Sequence, residues 1–392
     1  MIVIADDITG AAEIAGIAFA QGQEVSLVCG DALATNETTV IATDTRSISE
    51  VEAVAETRRI ISHFSHLSPL TSHLFKSPLT SHLFKKTDSA LRGHVVEELS
   101  ALMQVTGYQR AVYLPANPSK GRIIKDGIYY IKEVKGEGLE VRDVPISETA
   151  FSYDPEFPAR TSVLKERFPD AEAKNIIMPD AESEEDIHRV IAAYNDGKTL
   201  FAGAADLFSA LLPSPNTHHP TPITQHPTPN TQHPTPNTQH PSPNTQHPTL
   251  LLCGSTQSKP LDLGIPVAPM PRDIYDGSDD LTLWDTNAYN EAHSLILTIP
   301  YAHRTGKEVA VHLRTMMAEM TKRLIASHCP DHLVIEGGAT AWATLQALNW
   351  TDFTITALLA PGVVQMKAVN GTLVTLKPGS YPWNKAMLHG RI

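Results

Sequence analysis

Three apolar segments in the N-terminal half each end in charged or hydroxyl side chains. In chain order, these side chains belong to Asp6 and Asp7, to Asp44 and Arg46, and to Lys86, Asp88, Ser89 and Arg92. Arginine and lysine can bind a carboxylate, while aspartate accepts hydrogen bonds from hydroxyls and can remove a proton from one of them. This mixture of acids, bases and hydroxyls suits a polyhydroxy carboxylate as ligand.

The segments that precede these side chains are predicted to be β-strands of an α/β domain. Strands are predicted over 2–5, 39–42 and 82–85, and helices over 11–21, with Thr9 as N-cap, and 94–104. Such domains bind ligands beyond the carboxyl ends of their strands, so the three groups should meet at one rim. For any single residue, a surface salt bridge or the capping of a helix is the alternative explanation. Their recurrence at successive strand ends favours a binding site.

Glycine-rich turns follow the apolar segments of the C-terminal half instead. Gly254-Ser255-Thr256-Gln257 follows the segment 250–253, and Gly337-Gly338 follows 333–335. Glycine lets the backbone approach an anion, and the start of a helix favours negative charge, so both turns are candidate phosphate sites. A tight strand-to-helix turn without a ligand is the alternative. The sequence contains no P-loop motif, so a phosphate site would be assembled from separate loops.

A seven-residue unit rich in proline, threonine and histidine repeats over residues 221–248, between the two halves. Proline removes backbone donors and disfavours helix, so an extended linker is predicted. The predicted domains are residues 1–212 and 250–392, joined by residues 213–249. The unit places histidines at His226, His233, His240 and His247. They could capture a metal ion, but the entropy cost of ordering a flexible chain favours an inert spacer.

The composition indicates an ordinary globular enzyme. The 392 residues, 42% of them hydrophobic, can form two domains. Strands alternating with helices in both halves predict an α/β fold class, with two domains whose sheets are largely parallel. The formal net charge of −12 disfavours nucleic acid as a partner. Three widely spaced cysteines and the lack of a long apolar run predict a cytoplasmic protein without a membrane partner.

Several motifs resemble those of the four-carbon acid sugar kinase family. In the N-terminal half they are ADDITGA (5–11), TDTR (43–46), KKTDSALRG (85–93), Pro115-Ala116, Gly121-Arg122, Asp126-Gly127, VPISETAFSYDP (144–155) and Pro179-Asp180-Ala181. In the C-terminal half they are GGATA (337–341), Pro361-Gly362-Val363 and LKPGS (376–380). The resemblance covers nearly all of residues 1–212 apart from a short duplicated segment, and the C-terminal motifs follow in the expected order.

The resemblance implies a kinase that uses ATP and Mg²⁺ to phosphorylate the terminal hydroxyl of a four-carbon sugar acid, such as threonate, erythronate or 3-oxo-tetronate. It implies Asp7, or else Asp6, as the base. The implied substrate ligands are Asp44, Arg46, Lys86, Asp88, Ser89 and Arg92. The implied ATP ligands are Ser255, Gly337, Gly338, Thr340, Gly362, Lys377 and Gly379. The expected partners are therefore two small molecules, the sugar acid and ATP.

Two departures from the family pattern keep other functions open. Ala339 stands where many relatives have an acid, and prolines interrupt residues 260–271, where a helix usually follows the first loop. One alternative is a sensor that binds the sugar acid or the nucleotide without turnover. Another is an ATP-dependent ligase that activates a carboxylate.

Overall fold

The structure is a computed structural model. It describes residues 1–30, 36–71, 83–135, 140–154, 157–213, 248–254 and 263–379. Most of the predicted linker, including its four repeated histidines, and the predicted ATP ligand Ser255 lie outside the described residues. The linker, the domain bounds that depend on it and the role of Ser255 therefore stay predictions.

The N-terminal half contains ten strands and six α-helices within its described residues. The strands are β1 (Ile2–Ala5), β2 (Val25–Cys29), β3 (Thr38–Ala42), β4 (Leu83–Lys86), β5 (Arg110–Leu114), β6 (Arg122–Lys125), β7 (Ile128–Lys135), β8 (Glu140–Pro145), β9 (Ile176–Ile177) and β10 (Thr199–Gly203). The helices are α1 (Ile8–Ala20), α2 (Glu50–Thr71), α3 (Val95–Thr106), α4 (Leu164–Arg167), α5 (Glu184–Tyr194) and α6 (Ala205–Leu211).

The described part of the C-terminal half contains seven strands and four α-helices. The strands are β11 (Thr249–Cys253), β12 (Val267–Pro269), β13 (Ser294–Thr298), β14 (His332–Glu336), β15 (Asp352–Ala360), β16 (Val363–Ala368) and β17 (Leu373–Lys377). The helices are α7 (Arg272–Tyr275), α8 (Ala288–Ala292), α9 (Lys307–His328) and α10 (Gly338–Ala347).

Fourteen of these strands form one sheet in the order β12-β13-β11-β14-β17-β16-β15-β2-β3-β1-β4-β10-β5-β9. Every pair is parallel except those that involve β15 and β16. The central strands β1 and β11 are short apolar runs buried along their whole length, as parallel strands covered on both faces require. The predicted α/β class with largely parallel sheets is confirmed, and the structure adds that the two sheets share one hydrogen-bonded edge.

Strand β15 makes this junction. Its first residues pair antiparallel with β2, with Asp352 opposite Val28. Two irregularities then interrupt its pairing with β16, and the second half of β15 packs on α1. A Cβ added to Gly16 of α1 would lie 2.7 Å from Val364 Cγ2 and 2.8 Å from Leu358 Cδ1. Glycine at this position therefore lets the helix and the β15–β16 hairpin approach closely.

Helix α1 begins three residues earlier than predicted, and its cap is Asp7 rather than Thr9. The Asp7 carboxylate accepts a hydrogen bond from the Gly10 amide at 2.9 Å. The Thr9 hydroxyl donates instead to the other oxygen of Asp7, at 2.6 Å. The prediction of Thr9 as N-cap was wrong because the turn into the helix starts directly after Asp7, whose extended backbone suits a cap.

A separate three-stranded antiparallel sheet, β6-β7-β8, follows β5 in the chain. The hairpin between β6 and β7 turns through Asp126 and Gly127, both with positive φ, at 53° and 71°. Asp180 holds this turn, since its carboxylate accepts hydrogen bonds from both turn amides at 2.9 Å. The motifs at 126–127 and 179–181 therefore fix a hairpin that lies next to the site described below.

Candidate functional site

The ends of β1, β3 and β4 lie side by side in the sheet. Ala5 at the end of β1 pairs with Ala42 on one side and with Lys86 on the other, so the three strands end at the same level. The residues that follow each strand are therefore neighbours, although they are up to about 80 positions apart in the chain. All eight side chains predicted as base or substrate ligands lie at this rim, which we call the N-terminal rim.

Arg46 is the centre of the N-terminal rim. Its Nη2 lies 2.7 Å from Asp6 Oδ1 and 3.1 Å from Asp7 Oδ1, and its Nη1 lies 3.7 Å from Asp88 Oδ1. A single guanidinium thus pairs with three carboxylates. One directly follows β1, the second caps α1, and the third lies in the loop after β4. The Arg46 side chain is 13% exposed, which leaves this network open to a ligand.

Asp88 and Arg92 form a bidentate pair in the loop after β4. Arg92 Nε and Nη2 lie 2.8 and 3.0 Å from the two Asp88 oxygens, and Arg92 also reaches Asp154 at 3.5 Å. Burial opposes ionisation of Asp88, but the charges of Arg46 and Arg92 outweigh burial and hold the pKa of Asp88 far below its ordinary value. Asp88 is therefore a permanent negative charge at the rim.

Lys86 is held by a carboxylate that the sequence analysis missed. Its ammonium donates to the Thr87 carbonyl at 2.9 Å and lies 3.5 Å from Glu13 of α1. Lys120, after β5, forms an ion pair with the same glutamate. The neighbouring sequence does not mark Glu13 as a site residue, because an acid in a helix usually faces solvent. Only the packing of α1 places Glu13 at the rim.

Ser89 is held by the hairpin of the small sheet. Arg122 of β6 donates to the Ser89 hydroxyl, and the Tyr129 hydroxyl of β7 donates to the Ser89 carbonyl. The Arg122 guanidinium also lies over the Phe151 ring, 5.6 Å from its centroid. Arg122 belongs to a motif noted in the sequence, but neither its contact with Ser89 nor that of Tyr129 could be read from sequence spacing.

Asp44 adopts a left-handed backbone conformation, with φ 52°, directly after β3. Its carboxylate accepts a hydrogen bond from the Ser47 hydroxyl at 3.2 Å. Burial raises the pKa of Asp44 to about 7, and the neighbouring charge of Asp7 adds to this rise, while Ser47 and Arg314 oppose it. Asp44 therefore changes its charge near neutral pH, unlike Asp88.

The two adjacent aspartates differ in exposure and in protonation. Asp6 is 1% exposed, and burial raises its pKa in spite of Arg46. Burial also opposes ionisation of Asp7, but Arg46, Lys86 and the Thr9 hydroxyl outweigh it and lower the Asp7 pKa. The Asp7 side chain is 17% exposed and can meet a ligand hydroxyl. The geometry thus favours Asp7 over Asp6 as the group that accepts a proton.

The C-terminal rim is formed by the turns that follow β11, β14 and β17 and the turn between β15 and β16. Gly337 adopts φ 92° between β14 and α10, and its amide donates to the Lys377 carbonyl at 2.9 Å. The Lys377 ammonium lies 2.6 Å from Glu336, and both side chains are 0% exposed. In this structure Lys377 therefore ties the ends of β14 and β17 together, and its role as an ATP ligand stays a prediction.

Thr340 packs on the turn after β11. A Cβ added to Gly254 would overlap the Thr340 hydroxyl, so only glycine fits at this position. Thr340 is 6% exposed and lies in the first turn of α10. Because of this contact, the start of α10 and the first residue of the turn after β11 form one surface.

Gly362 and Gly379 lie at the same edge as the Gly337 turn. Val364 pairs with Leu376, which places the turn between β15 and β16 beyond the carboxyl end of β17. Gly379 follows β17 by two residues. The described residues predicted as ATP ligands are therefore all at one rim.

The two rims meet at the start of α10. A Cβ added to Gly338 would lie 3.1 Å from Thr9 Cγ2 and 3.7 Å from Asp7 Oδ2. A second contact joins the halves nearby, where the Lys307 ammonium of α9 donates to the Ser47 carbonyl at 3.5 Å. The start of α10 thus lies against the carboxylate that caps α1.

A cavity of about 980 Å³ lies elsewhere, at the sheet edge formed by β5 and β9. Its lining includes Arg110, Lys165 and Phe168 and none of the predicted site residues. The side chains predicted to act on a hydroxyl or a phosphoryl group lie at the two rims and not in the lining of this cavity. We therefore place the functional site between the rims.

Two family models match the chain. One, described as a sugar-binding N-terminal domain, matches residues 1–170. The other, described as a nucleotide-binding C-terminal domain, matches residues 282–381. This chain belongs to the four-carbon acid sugar kinase family. The N-terminal rim of this family member therefore lies in its sugar-binding domain, and the turns after β14 and β17 lie in its nucleotide-binding domain.

Solved structures share the fold of this four-carbon acid sugar kinase family member. A Haemophilus influenzae protein of the DUF1537 family is 18% identical, with a TM-score of 0.64 over 100% of this chain and 99% of its own. A protein described as a putative tRNA synthase from Salmonella typhimurium LT2 is 16% identical, with a TM-score of 0.68 over 99% and 98%. No curated protein matches the sequence.

Proposed function

We propose that this protein is a kinase that transfers the γ-phosphoryl group of ATP to the terminal hydroxyl of a four-carbon sugar acid, such as threonate, erythronate or 3-oxo-tetronate. The observation that supports this most is the approach of Gly338 to Thr9 and Asp7. It puts a helix start suited to a phosphate next to a carboxylate suited to a hydroxyl. Phosphoryl transfer requires these two groups within reach of each other.

In this mechanism Asp7 orients the acceptor hydroxyl and accepts its proton. The hydroxyl oxygen forms a bond to the γ-phosphorus while the bond to the β-phosphate oxygen breaks, and ADP leaves. Arg46 holds Asp7 ionised, and the amides that begin α10 face the phosphates. Little base strength is needed for such a transfer, so the lowered pKa of Asp7 is compatible with this role.

We assign the remaining ligands by rim. The sugar acid contacts Asp44, Arg46, Lys86, Asp88, Ser89 and Arg92. ATP contacts Ser255, Gly337, Gly338, Thr340, Gly362 and Gly379 directly, whereas Lys377, whose ammonium is buried against Glu336, contacts it only when this pair opens. At the N-terminal rim the charged side chains already pair with one another, so the acid must exchange some of these partners for its own carboxylate and hydroxyls.

Mg²⁺ reaches the site as part of Mg·ATP. The part of the chain that the structure describes contains no group of three His, Cys, Asp or Glu that could hold a metal ion. Magnesium in kinases is commonly held by the substrate phosphates and one or two carboxylates. Asp7 is the carboxylate nearest to Gly338, but it is the proposed base, so Mg²⁺ would be held mainly by the phosphates of ATP.

We further propose that residues 1–212 bind the acid, that residues 250–392 bind ATP and that residues 213–249 only connect them. No described helix is long and apolar enough to cross a membrane. The three cysteines are free thiols, as a reducing compartment favours, and ATP is a cytoplasmic substrate. We therefore propose the cytoplasm as the place of the reaction.

A coupled ADP-release assay with Mg·ATP and a panel of four-carbon sugar acids tests this function. We expect ADP release with at least one acid and little release with the Asp7→Asn variant. Release of AMP and pyrophosphate would instead indicate a ligase. Binding of an acid or of ATP without turnover would indicate a sensor, in keeping with Ala339 in the first turn of α10.

A further inference from the structure

The cations of the N-terminal rim differ in how their charges are balanced. Arg46 pairs with Asp6, Asp7 and Asp88, Arg92 pairs with Asp88 and Asp154, and Lys86 and Lys120 share Glu13. Each of these four cations therefore already has a carboxylate partner. A ligand carboxylate that binds to one of them must displace or share that partner, which costs part of the interaction energy.

Arg122 is different. The contacts of its guanidinium among the described residues are the Ser89 hydroxyl and the Phe151 ring, and neither carries a charge. A guanidinium has five N–H donors in a planar fork, and the bond to Ser89 uses one of them. No carboxylate of the described residues forms an ion pair with Arg122, so its remaining donors can bind a ligand without displacing one of these carboxylates.

The Arg122 side chain is also held in place. Its guanidinium lies 5.6 Å from the centroid of the Phe151 ring, a contact that restricts the plane of the fork. Its strand belongs to the hairpin whose turn amides are both bound by Asp180. Because hairpin and ring are fixed, little additional entropy is lost when the fork binds an anion.

The position of Arg122 connects it to the substrate residues. Ser89 directly follows Asp88, and Tyr129 of the neighbouring strand donates to the Ser89 carbonyl, so the hairpin and the loop after β4 form one surface. This surface lies in the sugar-binding domain, whereas Gly338 meets the rim at Asp7 and Thr9. The start of α10 and Arg122 therefore contact different residues of the N-terminal rim.

We infer that Arg122 binds the carboxylate of the acceptor and so determines the preference of this protein for sugar acids over neutral polyols. This inference rests on the proposed function and adds to it the orientation of the acid in the site. The carboxylate binds bidentately to the guanidinium beside Ser89 and Phe151, and the opposite end of the acid places its terminal hydroxyl at Asp7.

The test compares an acid with its uncharged amide in the full-length protein. Binding of both compounds is measured by calorimetry without ATP, for the unmodified protein and for the Arg122→Gln, Arg122→Lys and Arg160→Gln variants. Arg160 is an exposed arginine of the same domain and is not among the predicted ligands, so Arg160→Gln makes the same chemical change at another position.

We expect Arg122→Gln to weaken binding of the acid about 10- to 100-fold, as the loss of a charge-assisted contact predicts. Binding of the amide should change little. Arg122→Lys should lie in between because it keeps the charge but loses the fork. Arg160→Gln should leave both affinities unchanged.

Equal weakening of acid and amide by Arg122→Gln would overturn the inference, because it would show that Arg122 only positions Ser89. An unchanged affinity for the acid, or no binding of any panel acid to the unmodified protein, would also overturn it. Since binding is measured without ATP, an acid that binds but is not phosphorylated would refute the kinase and leave this test intact.

Discussion

The two rims of the site differ in the kind of chemical group that they present. The N-terminal rim is lined by charged side chains, and Arg46, Asp7 and Asp88 keep 10 to 17% of their side chains exposed. At the C-terminal rim the charged pair Lys377–Glu336 is completely buried, and glycine backbone lies at the turns instead.

This difference fits the two kinds of ligand that we propose. A sugar acid has hydroxyls and one carboxylate in a defined arrangement, and side chains of both signs can select it. A polyphosphate presents many equivalent oxygens, and backbone amides at a helix start can bind them without any charged side chain. The N-terminal rim therefore depends on residue type, whereas the C-terminal rim depends on backbone shape.

The largest expected effect is on the ADP-release rate and comes from Asp7, which lies at the rim and also caps α1. Asp7→Asn and Asp7→Ala should both lower the ADP-release rate about 10²- to 10⁴-fold, the usual contribution of a general base. Both variants lose the ion pair with Arg46, but asparagine still caps a helix, so the alanine variant should lose about 1 kcal/mol more unfolding free energy than the asparagine variant. Denaturant unfolding measures this second difference. An Asp7→Asn variant with wild-type turnover would remove Asp7 from the mechanism.

Breaking the buried Lys377–Glu336 pair of the C-terminal rim should lower the stability of the protein. Lys377→Met leaves Glu336 without this cation in a fully buried place and should cost about 3–5 kcal/mol of unfolding free energy. The matched control is Lys125→Met, which breaks the exposed pair with Glu182 at 3.5 Å and should cost less than about 1 kcal/mol. Equal losses of unfolding free energy for the two variants in urea titrations would show that the Lys377–Glu336 pair does not stabilise the rim.

A pH-dependent effect is expected at the N-terminal rim. The folded state raises the pKa of Asp44 from 3.8 to about 7, because burial disfavours its charge and Asp7 adds repulsion. The folded state therefore binds a proton that the unfolded state has already released, and this contribution to stability is lost as the pH rises through about 7. Asp44→Asn, which tolerates the left-handed backbone, should remove this loss.

Thermal unfolding of both proteins between pH 4 and pH 8 measures the effect. The two should be similar at the acidic end, and the variant should become the more stable protein as the pH rises. A constant difference across the range would show that Asp44 does not titrate there.

The smallest expected effect tests backbone shape at the C-terminal rim. Gly254→Ala places a methyl group against Thr340 and should cost about 1–3 kcal/mol of unfolding free energy. Thr340→Ala removes the hydroxyl that the new methyl would meet, so the double variant should lose less than the sum of the two single variants. Additive losses of unfolding free energy would show that the close approach of Gly254 and Thr340 does not constrain the structure of the rim.

The sequence alone determined the fold class and the location of the charged residues. Apolar segments directly followed by acids, bases or glycines predict strand ends of an α/β fold, and the strands at 2–5, 39–42, 250–253 and 333–335 agree with the structure within one residue at either end. These signals are local, since strand propensity, turn chemistry and capping depend on neighbours in the chain.

Only the tertiary structure decided which of these residues act together. The approach of Gly338 to Asp7 and the position of Glu13 beside Lys86 depend on how α1 packs against both halves. The antiparallel junction between β2 and β15 was not predicted either, because β15 changes its partners along its length. Contacts between residues hundreds of positions apart come from packing and register, which no short stretch of sequence encodes.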